Sequence, residues 1–419
     1  MRLALRNSSI LILYMLLIAV RVPQIIWPGR FWAEEGSIYF REAYTSNLWD
    51  VLTNSNLGYY SLFTKISSII AAHVVPLEFS PIITMSFSLI AQVLPVWLLL
   101  YSKIPSLSSR FYKLVAVGII LFMQPNQEVW LNTINSQFFL FISTAIILIS
   151  EPNNKLTHII RLGILGLAGL TGVVSCLLLP FFVFEYIWTR KKYKLYETIM
   201  LTTVTTIQLV IVINGAGRDM YLDFKVLPFV LLVKQWILPM LGSKVADIFS
   251  NYVKEYHLYF NYFYVFTVLF PYIIFTIGLI IWGNRHSWIL FGASITIASI
   301  SFFTSVEAQI ADRILGHLSS LGGGRYYYGP NVLMGLALLI PFSKNSDKYI
   351  QLRRYFRISC IILICLILTN GIYDFINSKY RHPWFFTGPS WPVEVEKWRK
   401  SKKDELKIWP RPWIMVLEK

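Results

Sequence analysis

The chain has 419 residues, of which 55% are hydrophobic and 14% are charged, and its formal net charge is +16. Soluble domains carry about 25% charged residues, so this composition excludes a soluble protein and predicts an all-α integral membrane protein. The basic residues cluster in particular loops, so the charge indicates orientation in a membrane and gives no support for nucleic-acid binding.

The first segment, MRLALRNSSILILYMLLIAV, places Arg2 and Arg6 before a long apolar run. No small-residue cleavage site follows, so we expect a retained first helix with a cytoplasmic N-terminus. Arg21 lies inside this span near its outer end. There it should snorkel, or pair with Glu34, Glu35 or a lipid phosphate.

Apolar stretches recur along the rest of the chain and predict about eleven transmembrane helices, with short basic connections between alternate spans. The positive-inside rule places those connections in the cytoplasm and the C-terminus outside. The basic connections contain Lys103, Arg110, Lys113, Lys155, Arg161, Arg190, Lys191, Lys192, Lys194, Arg285, Lys344, Lys348, Arg353, Arg354 and Arg357. The predicted spans are 8–27, 82–101, 111–124, 136–150, two short helices within 159–189, 196–213, 263–282, 287–304, 327–342 and 357–374.

Residues 59–75, YYSLFTKISSIIAAHVV, are long enough to resemble a further span. Their apolar residues fall at helical spacing, but Lys65, His73 and several hydroxyls interrupt the run. This amphipathic pattern favours a helix lying in the membrane interface. A crossing here would turn the basic loop around Lys103 outward, against the charge rule.

This topology leaves four loops on the outer face and a C-terminal tail. The outer loops are 28–80, 125–135, 214–262 and 305–326. We expect one transmembrane unit over residues 1–374 and an extracytoplasmic tail over 375–419. The tail is rich in Trp and Pro and is basic, which is typical of a packed lid or an anchor on the headgroups.

The segment FWAEEG, residues 31–36, places Glu34 and Glu35 just beyond the first span. Adjacent residues on a helix point about 100° apart, so one carboxylate can act as a general base while the other orients it. Trp32 is a candidate substrate contact beside them. The alternative is an ordinary helix start, where acidic residues are favoured.

A second polar cluster occupies the short outer loop QPNQEVWLNTINSQF, residues 124–138. Its candidate residues are Glu128, Trp130, Asn132, Asn135 and Gln137. Amide side chains suit sugar hydroxyls, and an indole ring suits the face of a pyranose. The acid adds a second carboxylate on the outer face. Helix capping and a hydrogen-bonded turn are the alternative explanation.

The third motif is LGGGRYYYGP, residues 321–330, which enters a span from outside. Its glycines allow a close approach of backbone to ligand, and Arg325 offers a fork of donors for a phosphate. Tyr326 and Tyr327 fall at headgroup level. Together with the acids, this motif predicts a lipid-phosphate clamp, whereas alone it would indicate an arginine of the aromatic belt.

No metal or nucleotide site is predicted. Cys176, Cys360 and Cys365 lie in hydrophobic segments, and the histidines of the outer loops show no ligand spacing. The sequence requires no cofactor, although acidic side chains could hold a divalent cation. The absence of a P-loop gives no support for ATP-driven transport.

These motifs together resemble the GT-C superfamily of integral membrane glycosyltransferases. In that family a long outer loop follows the first helix, opens with an acidic pair and contains juxtamembrane helices, and a later outer loop often supplies another acid. Here AEEG, residues 59–75 and Glu128 take those positions. FWAEEG, EVWLNTINSQF, GGGRYYYGP and KIWPRPW also look like bacterial polytopic proteins regarded as surface-polysaccharide or O-antigen glucosyltransferases. The family pair usually includes Asp, so Glu34, Glu35 and Glu128 all stay open as the base.

The resemblance implies a hexosyltransferase of the bacterial cytoplasmic (inner) membrane with its active site facing the periplasm. Its partners would be a polyprenyl-phosphate-linked sugar donor, a glycan or lipid-linked acceptor, and membrane lipids. A glutamate would activate the acceptor hydroxyl. Arg325, with or without Arg21, would stabilise the departing polyprenyl phosphate.

Two other functions stay open on the sequence. A transporter or flippase of lipid-linked sugars would hold ionisable residues near the midplane, often on broken helices, and residues 159–189 are the one such segment. A polysaccharide polymerase or ligase would use a lipid-diphosphate donor. It would need further outer arginines, for which Arg218 and Arg313 are candidates.

Overall fold

The described residues of the computed structural model are 2–215, 223–256, 262–304, 315–340, 350–401 and 404–418. This part of the chain is mostly helical, which confirms the predicted class. The helices are α1 (Arg2–Arg21), α2 (Leu62–His73), α3 (Ser80–Tyr101), α4 (Arg110–Phe122), α5 (Ser136–Ile149), α6 (Lys155–Gly169), α7 (Leu179–Thr189), α8 (Lys192–Asn214), α9 (Leu227–Leu241), α10 (Ser243–Tyr256), α11 (Tyr262–Trp282), α12 (Arg285–Thr304), α13 (Arg325–Leu339), α14 (Ile350–Arg381) and α15 (Trp391–Lys400). Short helical segments are Pro23–Ile26, Glu35–Phe40, Arg41–Thr45, Leu48–Thr53, Leu77–Phe79, Pro105–Leu107, Cys176–Leu178, Leu315–Leu318 and Pro383–Phe386, and the strands are β1 (Glu405–Lys407) and β2 (Ile414–Val416).

The helices have the length and composition of a membrane protein. Within the described residues, four are long and apolar enough to cross a bilayer, and these are Leu77–Tyr101, Lys192–Asn214, Arg285–Thr304 and Gln351–Arg381. A helix of about 20 residues covers the ~30 Å hydrocarbon core. Every span predicted from the sequence overlaps one of the described helices.

Helix α2 occupies the segment predicted to lie in the interface. It has 12 residues, which corresponds to about 18 Å and is too short to cross a bilayer. Its polar side does not face headgroups, because Lys65, Ser67 and Ser68 are fully buried against the protein. The polar side of α2 is therefore covered by protein.

Helix α13 lies at the centre of the fold and is buried from Tyr327 to Leu339. It packs against α12 and α5, and Gly329 allows that approach because a Cβ there would lie 2.6 Å from the ring of Phe141. The Asn331 amide donates to the carbonyls of Gln124 and Lys234, each at 2.8 Å. One side chain thus joins three segments of the chain.

The described part of the predicted outer loop 214–262 is largely helical. It contains the apolar helix α9 and the amphipathic helix α10. Lys234 interrupts the apolar run of α9, yet the lysine is fully buried, and its ammonium group donates to the carbonyls of Ser319 and Gly322. This helix was not predicted, because Lys234 interrupts the hydrophobic run in the sequence.

The C-terminal tail is folded. Helix α14 continues to Arg381 and so crosses the predicted boundary at residue 374, because its helical pattern extends beyond the apolar stretch. After it, α15 packs on the antiparallel pair β1–β2, in which Leu406 faces Met415. The tail and the first outer loop form a small hydrophobic core together, to which the loop contributes Phe31 and Phe40.

A buried ion cluster joins the end of α5, the middle of α6 and the start of α8 in the region predicted to face the cytoplasm. The carboxylate of Glu197 accepts from Arg161 at 2.7 Å and from Lys194 at 2.9 Å. Both cations also donate to the carbonyl of Ile147, in the last turn of α5. Cations at a helix C-terminus bind carbonyls that lack intrahelical partners.

Glu197→Gln should destabilise the protein by about 3–5 kcal/mol, because it leaves two buried cations without a counter-charge. The measurement is thermal unfolding of the purified protein in detergent. Glu396→Gln is the matched control, since Glu396 forms an exposed pair with Lys400. Equal unfolding temperatures for the two variants would contradict a structural role for the buried cluster.

Candidate active site

The loop that holds the acidic pair is tightly built around Glu35. This side chain is 1% exposed, and its carboxylate accepts from the backbone N–H of Thr133 at 2.7 Å and from the Thr133 hydroxyl at 2.6 Å. The other carboxylate oxygen accepts from the backbone N–H of Trp32 at 3.0 Å. The next residue is Gly36, and a larger residue would clash there, because its Cβ would lie 2.8 Å from Phe31. Glu35 therefore ties the first outer loop to the second.

Burial raises the pKa of Glu35 above its ordinary value, while the hydrogen bonds from Thr133 and Trp32 and the charge of Arg30 act in the opposite direction. Desolvation of a carboxylate disfavours its charged form, which explains the direction. All three described hydrogen bonds nevertheless go to carboxylate oxygens. The geometry makes Glu35 a positioning residue whose oxygens are already engaged.

Glu34 differs from Glu35 in its exposure to solvent and in its hydrogen bonds. It is half-buried, and within the described residues it makes no hydrogen bond and no ion pair. Its backbone follows Ala33, which has a φ of 42°. A left-handed non-glycine residue costs about 1–3 kcal/mol, and such residues cluster at functional sites. Of the acidic pair, Glu34 therefore has the carboxylate available to a substrate.

The second and third motifs meet through an ion pair. Glu128 accepts from the guanidinium of Arg325, and both side chains are partly exposed. The same guanidinium lies 4.9 Å from the ring of Tyr326 and donates to its hydroxyl at 3.1 Å. The predicted second carboxylate and the predicted phosphate ligand are thus neighbours. Leu131, between Glu128 and Thr133, has a φ of 48°, so both outer loops contain a strained residue.

The side-chain amides of the second loop mainly form hydrogen bonds to the backbone of the same loop. Asn132 and Asn135 are buried, and each donates from Nδ2 to the carbonyl of Glu128, at 2.8 and 3.0 Å. These bonds correspond to the hydrogen-bonded turn that the sequence left as an alternative. Gln137 is half-buried and lies 3.5 Å from the hydroxyl of Tyr59. Among the three amides, only Gln137 has an accessible side chain.

The expected pairing of Arg21 with Glu34 or Glu35 is wrong, and so is the expectation that it snorkels. Its side chain is fully buried and forms an ion pair with Asp374 at 3.6 Å. The guanidinium also lies 4.2 Å from the ring of Trp130. A cation that deep in the protein needs a counter-charge, and a neighbouring helix supplies it.

Three aromatic candidates are buried in this structure. Trp130 is 1% exposed and its ring is covered by Arg21, so in this structure the indole face is not open to a sugar. Trp32 is also buried, with its ring stacked on Phe385 at 5.9 Å. Tyr327 is buried within α13, so Tyr326 is the tyrosine of that motif with an accessible side chain.

Arg30 is a central residue that the candidate set did not include. It is buried, donates to the carbonyls of Trp130 and Phe385 at 2.8 and 3.3 Å, and lies over the rings of Trp32 and Trp409. Burial lowers its pKa to about 9, against the charge of Glu35. Its sequence signal was its place beside FWAEEG.

Asp374 is the second residue that the sequence analysis missed. It is buried in α14, and its carboxylate accepts from Gln124 at 2.9 Å and Gln127 at 3.0 Å and pairs with His382 at 2.8 Å. A single acid near the end of a long helix gives no recognisable motif. Its two glutamine partners lie in the QPNQEVW segment and were the available signal.

Polar residues of α2 adjoin the acidic loop. Lys65 is buried, donates to the carbonyl of Val51 at 2.5 Å and pairs with Glu42 at 3.8 Å. Burial lowers the pKa of Lys65, and Glu42 opposes that shift. Tyr39 lies 5.8 Å below this ammonium group. Burial raises the pKa of Tyr39, and Tyr59, Glu34 and Glu42 add to the rise.

The described residues contain no cluster of three or more His, Cys, Asp or Glu side chains that could hold a metal ion. Comparison with known proteins gives no match to a family model, to a curated protein or to a solved structure. The functional assignment therefore rests on the residues and contacts of this chain.

The raised pKa of Glu35 makes the effect of Glu35→Gln depend on pH. As pH rises above the ordinary glutamate value of about 4.3, the unfolded chain loses this proton before the folded protein does. The folded state then binds more protons, so its stability falls with pH until the folded pKa is passed. The destabilisation caused by Glu35→Gln should therefore shrink across this window.

The measurement is the unfolding temperature of both proteins in detergent over a pH series. Glu405→Gln, in β1, is the control because its side chain is exposed. A destabilisation by Glu35→Gln that is constant at every pH would contradict the raised pKa.

Proposed function

We propose that the protein is a GT-C-type glycosyltransferase of the bacterial cytoplasmic membrane. It would transfer a hexose from a polyprenyl-phosphate donor to a surface-glycan acceptor on the outer face. The observation that carries this proposal is the meeting of three motifs. The Glu35–Thr133 bonds join the acidic loop to the loop that contains Glu128, and Glu128 pairs with Arg325.

In this proposal Glu34 is the general base. A base needs a carboxylate that is free to accept a proton within hydrogen-bonding distance of the substrate. Glu34 meets the first requirement, because its oxygens have no described partner, whereas those of Glu35 are engaged. Glu35, held by Thr133, fixes the backbone that presents Glu34.

Arg325 is the proposed ligand of the donor phosphate. Its guanidinium is partly exposed and forms an ion pair with Glu128. Arginine binds phosphate through paired hydrogen bonds, and such charge stabilisation is usually the largest catalytic contribution. A bound phosphate would compete with Glu128 for these donors.

The reaction balances without a metal or redox partner. The acceptor hydroxyl gives its proton to the Glu34 carboxylate, and its oxygen forms a bond to the anomeric carbon. The bond from that carbon to the phosphate oxygen breaks, and the electron pair leaves with the polyprenyl phosphate. Arg325 stabilises the negative charge on that leaving group. A single displacement of this kind inverts the anomeric centre.

The proposed orientation has the N-terminus in the cytoplasm, about eleven crossings, and the active site with the C-terminal tail outside. Its support is the distribution of charge. The Arg161–Glu197–Lys194 cluster lies at the end of the helices opposite to the one where α5 follows the second outer loop. Basic residues at that end agree with the positive-inside rule.

One observation favours a transporter of lipid-linked sugars as the second candidate. Arg21 and Asp374 form a buried ion pair between α1 and α14, and intramembrane charges often mark transport pathways. However, Arg21 is the last residue of α1, so the pair lies at the helix end and not at the midplane. The polymerase or ligase alternative depended on Arg218 and Arg313, which lie outside the described residues.

Transfer of sugar is tested with radiolabelled polyprenyl-phosphate sugars in membranes that contain the protein. We expect wild type to move label to a glycan or lipid acceptor. Glu34→Gln should reduce the rate by about 10²–10⁴, the usual contribution of a general base. Arg325→Gln should lower kcat and also raise the KM for the donor, because its guanidinium both binds the donor phosphate and stabilises the charge on the leaving group.

The control for this assay is Glu396→Gln, which removes an exposed outer carboxylate of the tail and should transfer sugar normally. Variants must be present in membranes at the wild-type level. Transfer by Glu34→Gln at the wild-type rate would exclude Glu34 as the base. If no donor supports transfer by wild type, transport becomes the working function.

Orientation is tested with a membrane-impermeant maleimide on single introduced cysteines. Ser390→Cys, in the tail, should react in intact cells, whereas Lys192→Cys should react only after permeabilisation. Both side chains are exposed, so access depends on the side of the membrane. Cys176→Ser, Cys360→Ser and Cys365→Ser provide the background, and the reverse labelling pattern would overturn the proposed topology.

A further inference from the structure

The folded tail contains an open cavity that none of the proposed catalytic residues lines. Its volume is about 460 Å³, within the usual range for small-molecule sites. It lies between the start of α15 and the β1–β2 pair. The residues that determine its chemistry are Ser390, Glu394, Lys407, Ile408, Arg411 and Trp413.

The cavity carries a positive charge. Lys407 and Arg411 are exposed, and neither has an acidic partner among the described residues. Glu394 is in the wall, but its oxygens are already used by the ammonium group of Lys397 at 2.9 Å and the backbone N–H of Lys407 at 3.3 Å. The two remaining cations are therefore available to an anion.

The other part of the wall is aromatic and apolar. Trp413 is half-buried, and Ile408 and Val393 also line the cavity. An indole ring suits the apolar face of a sugar ring, while Arg and Lys suit a carboxylate or phosphate on the same molecule. A phospholipid is a poorer fit, because Trp391, Leu406 and Met415 fill the apolar interior below with their own core.

The cavity is joined to the acidic loop through the backbone. Ile408 precedes Trp409, whose carbonyl accepts from the N–H of Ala33 at 2.5 Å and whose N–H donates to Phe31 at 3.1 Å. Ala33 immediately precedes Glu34. A ligand in the cavity is thus held by the segment that also fixes the backbone of the proposed base.

We propose that this cavity binds an anionic saccharide, one that carries a carboxylate or a phosphate. That this saccharide is the acceptor rests on the proposed function. The tail then acts as a receptor for an acidic glycan and brings it to the outer loops. A neutral sugar of the same size lacks the group that Lys407 and Arg411 would bind.

Binding is tested by calorimetry on the full-length protein in detergent. The probes are a disaccharide that ends in glucuronic acid, its glucose-terminated counterpart and inorganic phosphate. We expect the acidic disaccharide to bind at least tenfold more tightly than the neutral one, with an affinity that falls as salt increases. Inorganic phosphate should bind weakly, because it makes no contact with Trp413.

The variants separate charge from ring contact. The double variant Lys407→Gln with Arg411→Gln should lose at least tenfold in affinity for the acidic disaccharide. Both side chains are exposed, so the fold should survive, as circular dichroism can verify. Trp413→Ala should lose a similar factor, and Trp413→Phe should recover most of it. Lys400→Gln removes a tail cation outside the cavity and should bind as wild type does.

Three results would overturn this inference. They are equal affinity for the acidic and neutral disaccharides, an unchanged affinity in the double variant, and binding only to phosphatidylglycerol nanodiscs with no saccharide binding.

The acceptor role is tested separately by the sugar-transfer assay, in which the double variant should raise the acceptor KM more than the donor KM. Saccharide binding without any sugar transfer would retain the cavity and reject the proposed function.

Discussion

A single buried carboxylate, that of Glu35, joins the two loops that the sequence predicts on the outer face. A buried carboxylate is costly unless hydrogen bonds satisfy it, and Thr133 and Trp32 supply those bonds from two different loops. The loops are therefore held in one relative position. Among the described residues, the carboxylate of its neighbour Glu34 has no hydrogen-bond partner, and it follows the left-handed residue Ala33.

Buried cations repeat this arrangement at other junctions of the fold. Arg30 donates to carbonyls of the second loop and of the tail, and Arg21 pairs with Asp374 between two helices. Each cation lies where segments distant in sequence meet. Removing one partner leaves an uncompensated charge, so these contacts specify a single arrangement of the outer loops even where their net stabilisation is small.

The sequence predicted the helical segments and placed the three motifs on one side of the membrane, because hydrophobic length and charge asymmetry are local signals. It did not predict that the carboxylate of Glu35 is hydrogen-bonded to Thr133, which lies 98 positions away in the chain. Asp374 and the buried helix around Lys234 were missed for the same reason. When the hydrogen-bond partners of a buried ionisable residue lie far away in the chain, the sequence gives no sign of them. Such a residue is then easily mistaken for one that is exposed to solvent.

The most direct test of the account is a cryo-electron microscopy structure with a polyprenyl-phosphate sugar whose sugar cannot be transferred. The account predicts that the donor phosphate lies within hydrogen-bonding distance of Arg325, that Glu128 has moved from that guanidinium, and that the anomeric carbon faces Glu34. A donor phosphate bound away from Arg325, with the Glu128–Arg325 pair intact, would contradict it.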